Sequence, residues 1–363
     1  MKPTTIIATT IVLLSPTFCL AAAYSVTDLG TNPLGHHSDA YGINTSGEVV
    51  GRFSQPGPQR AFLYSGGLVH DLGALGGTNP YSDAFGINDS GQVVGRVGSN
   101  SGQSAFLYSG GVMTDLELPG SIALDINEIG QIVGNAKLTS SGYDRAFLYE
   151  GGVTLDLGTL GGAYSSAAGI NASGQVAGQA AIDAAGTAHA FIYSGGVMHD
   201  LGALGTHSWG RGINESGQVI GTVEVTVEGE DGDETSLRAA LFANGTISDL
   251  GSLGGTVCEG QGINASGQAV GFSEITLGQV TRHAWLYSGG TMHDLNSLID
   301  PTSGWELQNA RAINDSGQIT GSGLINGEVH GFLLTPIPEP SSFVLAALGL
   351  IGLVIWKRRK RRA

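Results

Sequence analysis

Cysteine is nearly absent. Cys19 and Cys258 are the only two in 363 residues, and Cys19 lies in an N-terminal leader. One remaining cysteine excludes an internal disulfide, so the folded part must depend on its core. Paired Cys or His spacings of the zinc type are missing. No Ser, His and Asp set stands out for nucleophilic catalysis. Basic residues are scarce once the two ends are set aside. Glycine is the opposite case: 60 residues, far above the usual share of about 7%. It shows no three-residue period, which excludes collagen. Glycine spaced between short apolar runs predicts many strands joined by tight turns.

The N-terminus, MKPTTIIATTIVLLSPTFCLAAAYS, has Lys2, an apolar stretch Ile6 to Leu14, and the small residues Ala21, Ala22 and Ala23 before Tyr24. This pattern predicts a secretory signal peptide over 1–23, cut by signal peptidase after Ala23. Cys19 does not mark a lipoprotein, because Phe18 stands where a small residue is expected. The C-terminus, PIPEPSSFVLAALGLIGLVIWKRRKRRA, has a charge-free run from Phe343 to Trp356 and a basic tail, 357–362. A run of about 14 residues is short for a span, but flanking serines and snorkelling basic stems extend it. The basic cluster predicts a cytoplasmic end and a globular part across the inner membrane.

Pro338-Glu339-Pro340, a short apolar helix and an Arg-rich end together resemble the PEP-CTERM sorting signal of Gram-negative bacteria. The resemblance covers residues 336–363. It implies processing by an exosortase, a membrane transpeptidase, followed by release or surface attachment. It also implies a setting of exopolysaccharide and biofilm. Without its ends the chain keeps nine Lys and Arg against 31 acids, a net charge near −22. Such a domain is ill suited to nucleic acid or anionic lipid.

An Asn-centred element recurs seven times, at Asn44, Asn88, Asn127, Asn171, Asn214, Asn264 and Asn314, spaced by 44, 39, 44, 43, 50 and 50 residues. Periods of 40–50 with four strands of about five or six residues indicate propeller blades. An AFLY-type strand recurs at Phe62, Phe106, Phe147, Phe191, Leu241, Trp285 and Phe332. A DLG-type strand recurs at Asp28, Asp71, Asp115, Asp156, Asp200, Asp249 and Asp294. The first DLG precedes every Asn element, and the last AFLY-type strand has no DLG after it. Closing a ring joins these fragments and removes exposed edges. The expectation is an all-β, seven-bladed β-propeller over 24–335, closed by the N-terminal strand. The alternative is an open β-solenoid. His189-Ala190-Phe191, and nearly His283-Ala284-Trp285, resemble HAF repeats of bacterial extracellular proteins. That resemblance implies surface localisation and brings no catalytic residues.

The Asn-x-Ser-Gly turn invites a calcium reading. Its second position, however, is Thr45, Asp89, Glu128, Ala172, Glu215, Ala265 or Asp315. Three of the seven lack a carboxylate and no distal Glu recurs, so a hairpin turn with glycine at positive φ accounts for more. The DLG aspartates are expected to accept backbone hydrogen bonds at outer turns rather than form an axial ring. His70, His199 and His293 precede these aspartates, but strand neighbours point to opposite faces and make no dyad. The acidic segment Glu224 to Arg238, with Glu228, Glu230, Asp231, Asp233 and Glu234, is a candidate for weak calcium binding against the alternative of a solvated loop.

The two sets of variable loops emerge on one face of an up-and-down blade. That face is the expected binding surface, with Tyr81, Tyr164, Trp209 and Trp305 as contacts. His36, His37 and His207 lie in its blade-joining segments. The functional expectation is a non-catalytic exported protein, without cofactor or metal, that binds a glycan such as exopolysaccharide or a surface protein. The alternatives are a structural matrix component without a ligand, and a polysaccharide hydrolase or lyase, which fold alone does not establish.

Overall fold

The computed structural model describes residues 23–30, 37–54, 57–99, 102–227, 234–276 and 281–338. The signal segment before Ala23, Glu339-Pro340, the apolar run 343–356, the basic tail, His36 and acidic residues 228–233 lie outside them. Among the described residues no helix is long and apolar enough to cross a membrane.

The chain starts with strand β1 (Tyr24–Asp28). Blade 1 follows as β2 (His37–Ile43), β3 (Val49–Ser54), β4 (Arg60–Ser65) and β5 (Leu68–Gly73). Blade 2 is β6 (Tyr81–Ile87), β7 (Val93–Ser99), β8 (Gly102–Ser109) and β9 (Val112–Pro119). Blade 3 is β10 (Ile122–Ile126), β11 (Ile132–Ala136), β12 (Arg145–Glu150) and β13 (Val153–Asp156). Blade 4 is β14 (Ser165–Ile170), β15 (Val176–Ala181), β16 (Ala188–Ser194) and β17 (Val197–Asp200). Blade 5 is β18 (Ser208–Ile213), β19 (Val219–Val227), β20 (Glu234–Ala243) and β21 (Thr246–Asp249). Blade 6 is β22 (Cys258–Ile263), β23 (Ala269–Glu274), β24 (Arg282–Ser288) and β25 (Thr291–Asp294). Blade 7 holds β26 (Trp305–Ile313), β27 (Ile319–Ile325) and β28 (Glu328–Pro336).

Each of the first six blades is an antiparallel meander in chain order, and β1 supplies the fourth strand of blade 7. The pairing runs from Tyr24 opposite Pro336 to Asp28 opposite Phe332. This is the closure expected from the orphan DLG strand. The segment after β25 secures it, since Leu298 O accepts from the N–H groups of Ala23 and Tyr24 at 2.9 and 3.0 Å.

The core lies between blades. Phe106 of β8 is fully buried with Val50 and Ala61 of blade 1 and with Ala84 and Val93 of its own blade. Equivalent clusters pair every neighbouring couple of blades, including blades 7 and 1 through Leu333, Phe53 and Phe62. Burying each such aromatic ring stabilises the propeller by roughly 1.5–3 kcal/mol. The Ala before each Phe, such as Ala105 and Ala146, is buried too. It lets adjacent sheets approach.

Blade 5 corrects one assignment. Phe191 pairs with Asp200, but Ala240 pairs with Asp249. The residue equivalent to Phe191 is therefore Ala240, and Leu241 falls one position too late. Phe242 takes the next inward position and is buried.

The three glycines of GINDSGQVVG have separate causes. Gly91 has φ +71 and accepts the turn. A Cβ on Gly86 would sit 2.9 Å from the Cα of Asp125 in the next blade. A Cβ on Gly95 would collide with Asp83 O, because a bulge presses the facing strand inward there.

Candidate functional site

The ring has two ends. The Asn-x-Ser-Gly turns and the Ser-Gly-Gly turns share one, the hairpin face. Loops of the β3–β4 type and most blade-joining segments share the other, the loop face, as the meander topology requires.

On the hairpin face the seven asparagines form a closed ring. Each side-chain amide donates to the backbone carbonyl of the next blade's Asn: Asn44 to Asn88, Asn88 to Asn127, Asn127 to Asn171, and so on to Asn314, which donates to Asn44 at 3.0 Å. Each Nδ2 also donates to the residue four positions on, for example Asn171 to Gln175 at 2.8 Å. Each Oδ1 accepts that residue's backbone N–H. The asparagines therefore weld blades as well as set turns. They are 1–6% exposed, so the sequon-like pattern is no glycosylation surface.

The carboxylates of these turns are used in the same way. Asp89, Glu128, Glu215 and Asp315 each accept a backbone N–H from the preceding blade's turn, at Thr45, Asp89, Ala172 and Ala265. These turns are hydrogen-bonded hairpins, as the hairpin reading expected.

At the rim, all seven DLG aspartates accept the N–H two residues on, at 2.7–2.9 Å. In five blades a second partner comes from the third strand; in blade 2 it is the Ser104 hydroxyl, which donates to Asp115 at 2.5 Å. His189 meets Asp200 at 2.9 Å, His283 meets Asp294 at 2.6 Å, His330 meets Asp28 at 3.0 Å, and Arg145 meets Asp156 at 3.4 Å. The histidine that precedes Ala-Phe thus locks the outer strand of its own blade. His70, His199 and His293 make no such pair.

The axis differs. A register skip in each first strand bulges one residue: Tyr41, Phe85, Leu124, Ala168, Arg211, Gln261 and Arg311. These seven line a central channel of about 190 Å³. Blade 3 replaces the usual glycine with Asp125. Its carboxylate accepts from Ile126 N–H and, across the blade boundary, from Ile170 N–H, both at 2.9 Å. Desolvation by the surrounding protein pushes its pKa up to about 6 despite these donors. Tyr41 is pushed to about 12 by burial and then by Asp39, and it carries Arg311 over its ring at 4.7 Å.

Toward the loop face, Arg52 binds Asp39 at 3.0 Å and reaches Asp83 at 3.9 Å, while Arg96 binds Asp83 at 2.7 Å. Among the described residues eight buried side-chain polar atoms have no hydrogen-bond partner, and five of them lie on the first and second strands around this mouth: Asp83 Oδ1, Gln179 Oε1, Thr222 Oγ1, Asn309 Oδ1 and Arg311 Nε. Buried groups are normally satisfied, so this concentration marks a place for a ligand or ordered solvent.

Of the aromatics expected on the loop face, none is an exposed platform. Tyr81 lies beneath the Arg96 guanidinium at 5.8 Å. Tyr164 donates to Gly186 O at 3.0 Å. Trp305 packs edge-on against His330 and Phe332. Trp209 sits at the channel wall, stacked on His207 with centroids 5.6 Å apart. His37 is exposed at the start of β2. Strands β19 and β20 pair out to Val227 opposite Glu234, so both flanks of the candidate calcium loop are strand rather than loop; residues 228–233 lie outside the described residues. Cys258 is buried and its thiol pushed up to about 11 by burial, far from a thiolate. Among the described residues no three His, Cys, Asp or Glu converge on one point.

The bulged channel residues do not stand out in the sequence as a functional set. One signal does mark them: a variable residue sits two positions before the constant Ile-Asn in each unit.

Ala23 and Pro338, where the sequence predicts processing, lie at one corner. Tyr24 faces Pro336 where β28 ends on the hairpin face, and Ala23 O accepts Ile337 N–H at 2.8 Å. Pro338 follows, exposed.

A PEP-CTERM protein-sorting motif matches residues 336–360. It marks an exported, exosortase-targeted protein sorted to the surface of a Gram-negative-type bacterium. No curated protein matches the chain. The crystal structure of TolB from Acinetobacter baumannii is similar at 9% identity and TM-score 0.43, over 84% of this chain and 64% of that one. The extracellular domain of the one component system BT4673 from B. thetaiotaomicron is similar at 10% identity and TM-score 0.49, over 86% of this chain and 40% of that one. The chain spans less than two thirds of either. A family described as protein of unknown function (DUF3466) matches residues 109–333, which is most of the blades, and the chain belongs to that family.

Proposed function

We propose that this protein is a non-catalytic binding propeller of the cell surface or extracellular matrix, holding a glycan or a surface protein at the loop-face mouth of its channel. The observation that carries this reading is the contrast in polar satisfaction. The Asn ring on the hairpin face is bonded throughout, whereas five buried polar atoms at the loop-face mouth lack partners. The resemblance to HAF repeats accords with a surface location.

The chain ends support the orientation. The sorting segment leaves from the hairpin face of blade 7. A chain held by residues 343–356 before processing would present its loop face away from the inner membrane. Signal peptidase acting at Ala23 and exosortase acting on the motif that begins at Pro338 would approach the same corner.

The test uses processed protein isolated from exporting cells and displayed to arrays of polysaccharides and surface proteins. Saturable binding, weakened by loop-face substitutions and kept by Asp89→Ala on the hairpin face, is the expected result. No saturable partner on either array would favour a structural matrix component. Turnover of a polysaccharide would favour the hydrolase or lyase reading.

A further inference from the structure

Between blades 4, 5 and 6 the channel wall opens into a pocket of about 180 Å³, lined by Gln179, Trp209, Arg211, Thr222, Leu237 and Glu259. Thr222 is 3% exposed, and its hydroxyl has no partner. Gln179 Oε1 is likewise buried and unpartnered. Glu259 accepts one bond, from Gln261 Nε2 at 3.2 Å, and retains further acceptor capacity. Trp209 is held on one side by the parallel ring of His207 and lines the pocket as well. Arg211 makes no hydrogen bond or ion pair with the described residues, unlike Arg52 and Arg96 of the same channel.

These groups define a chemistry. An indole fixed in orientation offers a flat apolar surface for the C–H face of a sugar ring. A half-buried carboxylate, an amide oxygen and a hydroxyl beside it accept from ring hydroxyls, and the amide oxygen and the hydroxyl would otherwise stay buried without a partner. An arginine without an acidic partner is suited to a planar carboxylate. A divalent cation fits poorly, because Glu259 is the pocket's only carboxylate. The charge distribution points the same way. Of the nine basic residues between Tyr24 and Pro338, four (Arg52, Arg96, Arg211 and Arg311) lie around the axis, in a domain otherwise strongly acidic. Asp39, Asp83, Asp125 and Glu259 offset these bases, so the axis is near neutral while the rest of the domain is acidic, and an anionic ligand is opposed less here than elsewhere.

We propose that this pocket binds one pyranose residue carrying a carboxylate, a uronate unit of an acidic polysaccharide. The proposal rests on the binding-propeller reading and narrows it to one pocket and one sugar class. The experiment is calorimetry on the full processed chain with trisaccharides of glucuronate, galacturonate, mannuronate and guluronate, neutral galactotriose, and an oligo-aspartate peptide. At least one uronate is expected to bind saturably, tenfold or more tighter than the neutral sugar. Trp209→Ala should weaken that uronate at least tenfold. Arg211→Gln should remove its advantage over the neutral sugar, and Arg211→Lys should restore part of it, with melting curves confirming folded variants. Equal affinity for uronate in wild type and Arg211→Gln overturns the proposal. So does the absence of saturable uronate binding, or saturable binding of the peptide alone. If array partners of the propeller persist in both variants, the binding-propeller reading stands and this pocket falls.

Discussion

The two faces of the propeller solve opposite problems. On the hairpin face every unit repeats nearly the same residues, and their polar atoms are consumed in joining one blade to the next. Near the loop face the corresponding positions differ from blade to blade, and buried polar atoms go unused. Asp39, Asp83, Ile122, Ser166, Trp209, Glu259 and Asn309 are equivalent in the ring, yet they share no chemistry. Repetition serves closure, and the proposed recognition falls where the units vary.

That comparison can be broken most severely at the closure itself. Removing β1 leaves blade 7 with three strands and an open edge. A chain lacking residues 23–30 is expected to aggregate or to melt more than about 10 °C lower by calorimetry. Next comes the Asn ring. Asn171→Ala loses bonds to Gln175 Oε1, Gln175 N and Asn214 O, and strands buried partners. A cost of about 2–4 kcal/mol in chemical denaturation is expected. If this variant proves as stable as wild type, the asparagines are turn residues and nothing more.

Asp125 sharpens the comparison, because it places an ionisable group where most other blades have glycine. Its folded pKa, about 6, lies above the ordinary value of 3.8. Between these values the folded state holds a proton the unfolded chain has lost, so its contribution is present at low pH and disappears as pH rises through about 6. Relative to Asp125→Gly, wild type should lose up to about 2–3 kcal/mol between pH 4 and pH 7.5. A flat difference in denaturation midpoint across that range would remove the buried carboxyl from the account. The smallest effect is expected for Asp89→Ala, which frees one exposed N–H on Thr45. About 0.5–1 kcal/mol is expected there.

Much of the fold is legible in the sequence because closure imposes complementary fragments on the two ends of the chain. A lone DLG before the first unit and a missing one after the last are what a ring closed by its first strand requires. The role of Asn is only half legible. Its turn bonds are local, but its partner carbonyl is 39–50 residues away along the chain, or across the closure for Asn314, in a unit with the same motif. No spacing reveals that contact. The Asp of DLG reads from sequence as an outer backbone acceptor, and it is one. Its histidine partner is hidden because the pair lies 11 residues apart across a hairpin. In blade 5 the run Ala239-Ala240-Leu241-Phe242 allows a slip of one position, since alanine packs without declaring which neighbour is central. The channel residues are least legible. A bulge turns them inward, and their variation from unit to unit disguises them as surface.

Amide hydrogen exchange followed by mass spectrometry, on the processed chain with and without a bound uronate trisaccharide, tests the division of labour most directly. The account predicts uniformly slow exchange at the Asn-centred hairpins of all seven blades, blade 7 and β1 included, unchanged by ligand. It predicts new protection confined to the pocket strands β15, β18, β19, β20 and β22. Early exchange of β1 with blade 7, or ligand protection on the hairpin face, would contradict it.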